Sequence, residues 1–128
     1  MIDEFEKYTD ELSDYEKKEL LPVFVRCLAK HVGKVNAITN KAMCDGMLKY
    51  GYTAINGARV RKIINYIRRK NLVPRLCACG SNGYYVCNNT EEYKSYLIGL
   101  RARRNSINDV LQMMLRHEGL TEAELTES

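Results

Sequence analysis

Apolar and polar positions repeat with a helical period along most of this 128-residue chain and with a period of two in one short stretch. Leu20, Leu21, Phe24, Leu28 and Val32 fall on one helical stripe. Ser13 and Glu16 have capping-box spacing ahead of it, and Gly33 is a stop signal behind it. Pro22 lies inside this first helix and is expected to kink or split it. Ala37-Ile38 is short and apolar and reads as a minor strand. Thr39 can cap a second helix over Asn40 to Tyr50, with Met43, Met47 and Leu48 on its buried side. Gly46 costs that helix about 1 kcal/mol of propensity relative to Ala, so close packing of another helix is expected there.

A third helix follows the turn from Gly51 to Asn56. Val60, Ile63, Ile64 and Ile67 recur at i, i+3, i+4 and i+7 and define its core side. The opposite side is centred on Ala58, Arg61, Lys62, Asn65 and Arg69, with Arg59 and Arg68 on the flanks. Pro74 to Cys79 and Gly83 to Cys87 then alternate as a hairpin, with Asn82-Gly83 as its turn signal. Tyr84 and Tyr85 point to opposite faces of the return strand, so at least one belongs to the core. A second capping box, Asn89 to Glu92, opens a long helix to about His117. At the helical rise, twenty-five or so residues of it span roughly 38 Å. Tyr93, Leu97, Leu100, Arg104, Ile107, Leu111 and Met114 keep heptad spacing, interrupted by Arg104, and predict pairing with a second copy. The expected organisation is an acidic arm (1–12), a helix-and-hairpin domain (13–88), the long helix (89–117) and an acidic, fraying tail (118–128). The class is α+β, mostly α, and the length fits one core.

Charge sharpens this picture. Net charge is +4, but residues 1–20 carry eight acids and three bases, and residues 118–128 carry four acids and no base. Seventeen bases and four acids remain between them, so the middle of the chain is +13. No acid lies between Asp45 and Glu91. A basic body between acidic ends is an electrostatic footprint for a polyanion. On the third helix, arginine and lysine can bond guanine edges, asparagine can bond adenine, and any of them can bond phosphate. In the hairpin, Arg75, Ser81 and Asn82 are candidates for sugar-phosphate contacts.

Other chemistry is poorly supported. Five cysteines, an odd number, without a basic and apolar leader point to reduced thiols and a cytoplasmic location. Cys77, Cys79 and Cys87 share the hairpin, but with Cys44 they match no tight zinc spacing, so no metal or other cofactor is expected. His31 and His117 have no local nucleophile or carboxylate partner, and no phosphate loop or nucleophile elbow is present, so an enzyme is not expected. No apolar run approaches a membrane span.

The runs AITNKAM, GARVRKIINYIRRKNLVP and GSNGYYVCNNTEEYKSYLIGLRARRNSI resemble a set of small bacterial and phage winged helix-turn-helix proteins, over roughly residues 15–115. The resemblance implies a winged helix-turn-helix with a two-stranded β-wing and a long C-terminal helix. It makes Arg59 to Arg69 the recognition helix and Gly80 to Gly83 the wing tip. It further implies double-stranded DNA as partner and a role as regulator or replication accessory of a phage or mobile element. The cysteine-rich wing, CACGSNGYYVC, departs from the pattern of that set. The basic face leaves other partners open: an acidic protein met by an interaction module of the same fold, or RNA in a phage–host conflict.

Overall fold

A computed structural model describes residues 11–126, so most of the expected acidic arm and the last two residues lie outside the described part. The described chain is mostly helical, with four α-helices and one two-stranded antiparallel sheet. They are α1 (Leu21–Ala29), α2 (Asn40–Lys49), α3 (Gly57–Lys70), β1 (Leu76–Cys79), β2 (Gly83–Val86) and α4 (Thr90–Glu118). No helix among the described residues is long and apolar enough to cross a membrane.

Capping sets most of the helix starts. The Ser13 amide donates to Glu16 Oε1 at 2.8 Å, and the Glu16 amide donates to Ser13 Oγ at 3.2 Å. The chain then makes a five-residue π-helical turn, Glu16–Leu20, and continues into α1 without a break. Pro22 explains the turn: it has no N–H to give and its ring crowds the carbonyl four residues back, which a wider turn moves aside. The expected kink is thus absorbed as a π turn. Helix α1 also stops short of Val32, because His31 to Gly33 pair with β2 instead: the Val86 amide donates to the His31 carbonyl and the Gly33 amide to the Val86 carbonyl, both at 2.8 Å. Thr39 caps α2 through the Ala42 amide, Asn56 caps α3 through the Arg59 amide, and Asn89 caps α4 through the Glu92 amide. Asn71 and Gly119 end α3 and α4 in the left-handed region.

The hairpin is shorter than the alternation predicts. A 3-10 turn, Gly80–Asn82, joins the strands, and Cys79 faces Gly83 across the ladder. The expected minor strand is one bridge: the Ile38 amide donates to the Tyr84 carbonyl at 2.9 Å and the Tyr84 amide to the Ile38 carbonyl at 2.8 Å. This approach requires glycine at position 83, which has φ 94°. A Cβ there would run into the Ile38 carbonyl and the Thr39 Cα.

The main core joins Leu20, Phe24 and Leu28 to Met43 and Met47, to Val60, Ile63, Ile64 and Ile67, and to Leu76, Tyr84 and Val86. All four α3 residues assigned to the core are buried there. Each such side chain contributes roughly 1.5–3 kcal/mol by leaving water. Two expectations for α2 fail. Leu48 is 49% exposed, because it sits a further 100° around the helix from Met47. No atom approaches Gly46 closely; it lines an apolar cavity of about 140 Å³ between α1 and α2 with Val23, Cys27 and Met43.

Strand alternation builds a second, smaller cluster on the other face of the hairpin. Cys77, Tyr85 and Cys87 are buried in it, with Cys79, Tyr93 and Tyr96 packed alongside. The first turns of α4 cover this face. Beyond them α4 is exposed except near Leu115. The acidic tail does not simply fray: Glu122–Leu125 makes a 3-10 turn with a Thr121/Glu124 capping box, and Gln112 Nε2 donates to Glu122 Oε2 at 2.7 Å.

Candidate nucleic-acid interface

Helix α3 buries one face completely, which pins its rotation and decides what the other face presents. Ala58, Arg61, Asn65 and Arg69 are exposed on that outward face. Arg68 is half-buried on the flank; one of its nitrogens donates to the Tyr96 hydroxyl at 2.8 Å and another lies 3.4 Å from Asn65 Oδ1. Arg68, Arg69 and Lys70 occupy the last turn, where the helix dipole favours cations. Lys70 lies over the Tyr66 ring, 5.8 Å from its centre.

Two of the expected DNA-binding residues, Lys62 of the outward face and Arg59 of its flank, are held elsewhere. Arg59 Nε donates to Glu16 Oε2 at 2.8 Å, and Lys62 Nζ donates to Glu16 Oε1 at 2.9 Å. Arg59 also donates to the Ala54 carbonyl and lies over the Tyr15 ring. Glu16 is 1% exposed. Burial pushes its carboxyl up, but hydrogen bonds from Lys62, the Ser13 amide and Arg59 outweigh burial and hold it at about 2. The stretch from Asp45 to Glu91 is acid-free along the chain but not in space. The fold brings one buried carboxylate to the α1 side of α3, where it neutralises part of the cationic surface.

At the hairpin, Ser81 and Asn82 are exposed at the tip. Arg75 sits at the base with φ 62°, and its Nε is buried without a hydrogen-bond partner among the described residues. It is therefore separate from Ser81 and Asn82, the tip residues expected to share its phosphate contacts. Both Tyr84 and Tyr85 are buried, which removes either ring from base stacking. The sulfurs of Cys77 and Cys87 lie 3.2 Å apart. Burial, then the Cys87 thiol, pushes Cys77 up to about 12. Cys44 is on α2 and packs against the main core, with its thiol toward Asn40 Oδ1 at 3.6 Å, so the four-cysteine set does not assemble. His31 Nδ1 lies 2.7 Å from the Asn36 carbonyl oxygen, and His117 is exposed on α4.

The surface has a part that hydropathy did not reveal. Arg101, Arg103 and Arg104 are exposed along α4, and Arg103 and Arg104 line a cleft with Arg68, Ala78 and Gly80. Their signal was present as the run Arg-Ala-Arg-Arg, but heptad spacing presents Arg104 only as an interruption of an apolar seam. No protein-family model, curated protein or solved structure matches this chain.

Proposed function

We propose that this chain is a winged helix-turn-helix protein that binds duplex DNA, with α3 as recognition helix and the hairpin as wing. The order of elements supports the fold reading: α1, the Ile38 bridge, α2, α3 and a hairpin whose return strand takes Ile38 on its free edge. The observation that carries the function is the outward face of α3. Arg61, Asn65 and Arg69 are exposed on a helix whose other side is wholly core, and Ser81 and Asn82 are exposed at the adjacent hairpin tip. A helix presented in this way enters a major groove, with arginine on guanine edges and asparagine on adenine. Arg59 and Lys62, ion-paired with the buried Glu16, take no part in base reading here, and Arg68 serves a backbone phosphate. The biological setting that fits is regulation or replication of a phage or mobile element.

Homodimerisation through α4 belongs to the same proposal. Ile107 is 70% and Met114 65% exposed, on a helical stripe with the half-buried Leu111. Tyr93 and Tyr96 are already spent on the hairpin face, so the seam is confined to the far half of the helix. This stripe is also what favours the second reading, a protein-interaction module on the same fold.

The test is a fluorescence-anisotropy titration of random duplex DNA across a salt series. Affinity should fall steeply with salt, as counterion release demands. Arg61→Ala with Asn65→Ala should weaken binding and flatten sequence preference. Negligible wild-type affinity at low salt, or no effect of the double substitution, overturns the proposal.

A further inference from the structure

Two clefts flank the hairpin. One, of about 330 Å³, is lined by Asn65 and Arg69 of α3 and by Tyr93, Tyr96 and Leu100 of α4. The other, of about 430 Å³, lies between Ala78 and Gly80 of the hairpin and Arg103, Arg104 and Ile107 of α4. They share Arg68, Tyr96 and Leu100, so they lie side by side and together make one trough-like surface. It starts at the outward face of α3 and runs along α4. Its floor is apolar, its rim is guanidinium, and no carboxylate lines either cleft.

We infer that this trough is a second phosphate track, in which Arg103 and Arg104, with Arg68 and the Tyr96 hydroxyl, hold the sugar-phosphate backbone of the duplex that α3 reads. The inference rests on the DNA-binding reading. Three observations carry it. First, two of the rim cations are not neutralised within the protein: Arg104 meets only the side-chain oxygen of Asn105, at 3.3 and 3.4 Å, and Arg103 makes no hydrogen bond or ion pair among the described residues. Second, the Tyr96 hydroxyl accepts from Arg68 at 2.8 Å and from the Ala78 amide at 3.3 Å, while no acceptor among the described residues takes its own proton. A phosphate oxygen in the trough supplies that acceptor, and guanidinium groups are suited to phosphate geometry. Third, the charge balance selects a polyanion over a second copy. Between Glu92 and Glu118, α4 carries Lys94, Arg101, Arg103, Arg104 and Arg116 against one acid, Asp109. Two copies paired along the Arg101–Arg104 stretch would set like charges together, whereas a nucleic-acid backbone neutralises them.

The experiment titrates labelled random duplex with wild type, with Arg103→Gln/Arg104→Gln, and with Lys30→Gln/Lys34→Gln as a charge-matched control away from the trough. Each protein is also sized by sedimentation. Losing two phosphate contacts should lower the magnitude of the log–log salt slope by about two and weaken binding on the order of tenfold at moderate salt. Sequence preference should be unchanged, and the control should bind like wild type. The inference is overturned if the arginine variant binds like wild type, a result that leaves reading by Arg61 and Asn65 intact. It is also overturned if the control loses as much as the arginine variant, since net charge alone then accounts for the loss. A variant that changes mass while keeping its DNA affinity assigns the trough to a second copy and overturns it too. Wild type that does not bind duplex at low salt removes both this inference and the reading beneath it.

Discussion

Glu16→Gln isolates the buried charge that ties the N-terminal helix to α3. Glutamine keeps the size of the side chain and an oxygen for the Ser13 amide, so the cap survives while the charge and the second acceptor, which takes the Arg59 bond, go. The folded carboxyl is held at about 2 against an ordinary 4.5. At 1.36 kcal/mol for each tenfold change in proton affinity, that gap corresponds to about 3 kcal/mol of stability. Because the folded value is depressed, this stabilisation is complete above pH 4.5 and is lost as pH falls from there toward 2. The Arg59 and Lys62 side chains are 25% and 34% exposed, so both can turn to water in the variant. The loss should therefore not exceed that figure, despite the larger penalties typical of broken, fully buried pairs. Urea denaturation at pH 7 should place the Glu16→Gln variant about 2–3 kcal/mol below wild type with an unchanged m value. The two proteins should converge as the measurement moves from pH 5 to pH 2.5. A gap under about 1 kcal/mol at pH 7, or one that persists at low pH, would refute the account of Glu16 as an ion-pair anchor. The same variant releases two cations on α3, so its duplex affinity should rise with a steeper salt slope.

Gly83→Ala should cost at least about 3 kcal/mol in chemical denaturation, because both φ and the Ile38 backbone oppose a Cβ; Gly80→Ala, with φ 35° and open space around it, should cost about 1. A loss for Gly83→Ala no larger than that for Gly80→Ala would count against the Ile38 bridge. Alkylation by iodoacetamide at pH 8 should modify Cys77 orders of magnitude more slowly in folded protein than in urea, since the thiol is buried and held at about 12; equal rates would contradict the packing of the hairpin on α4. Ile107→Glu with Met114→Glu should convert a sedimenting dimer to monomer without loss of helix, and a wild type that is already monomeric at tens of micromolar would remove the proposed seam.

What the sequence determined by itself is what depends on near neighbours. The caps at Ser13, Thr39 and Asn89 were readable because each bonds an amide three residues on, whereas Asn56 read only as the end of a turn. The buried set Val60, Ile63, Ile64 and Ile67 was readable because helical geometry alone places them on one side. The opposite placement of Arg61, Asn65 and Arg69 follows from the same geometry. Tertiary structure decided the rest. Glu16 meets Arg59 and Lys62 across 43 and 46 residues of chain, and no local pattern encodes that distance. Tyr85 was free to face solvent until α4 folded over the second face of the hairpin. The trough needs α3, the hairpin and α4 at once, so Arg104 reads along the chain only as a break in an apolar repeat. Helical period and capping act over a few residues, whereas charge pairing and cleft formation depend on which elements the core brings side by side.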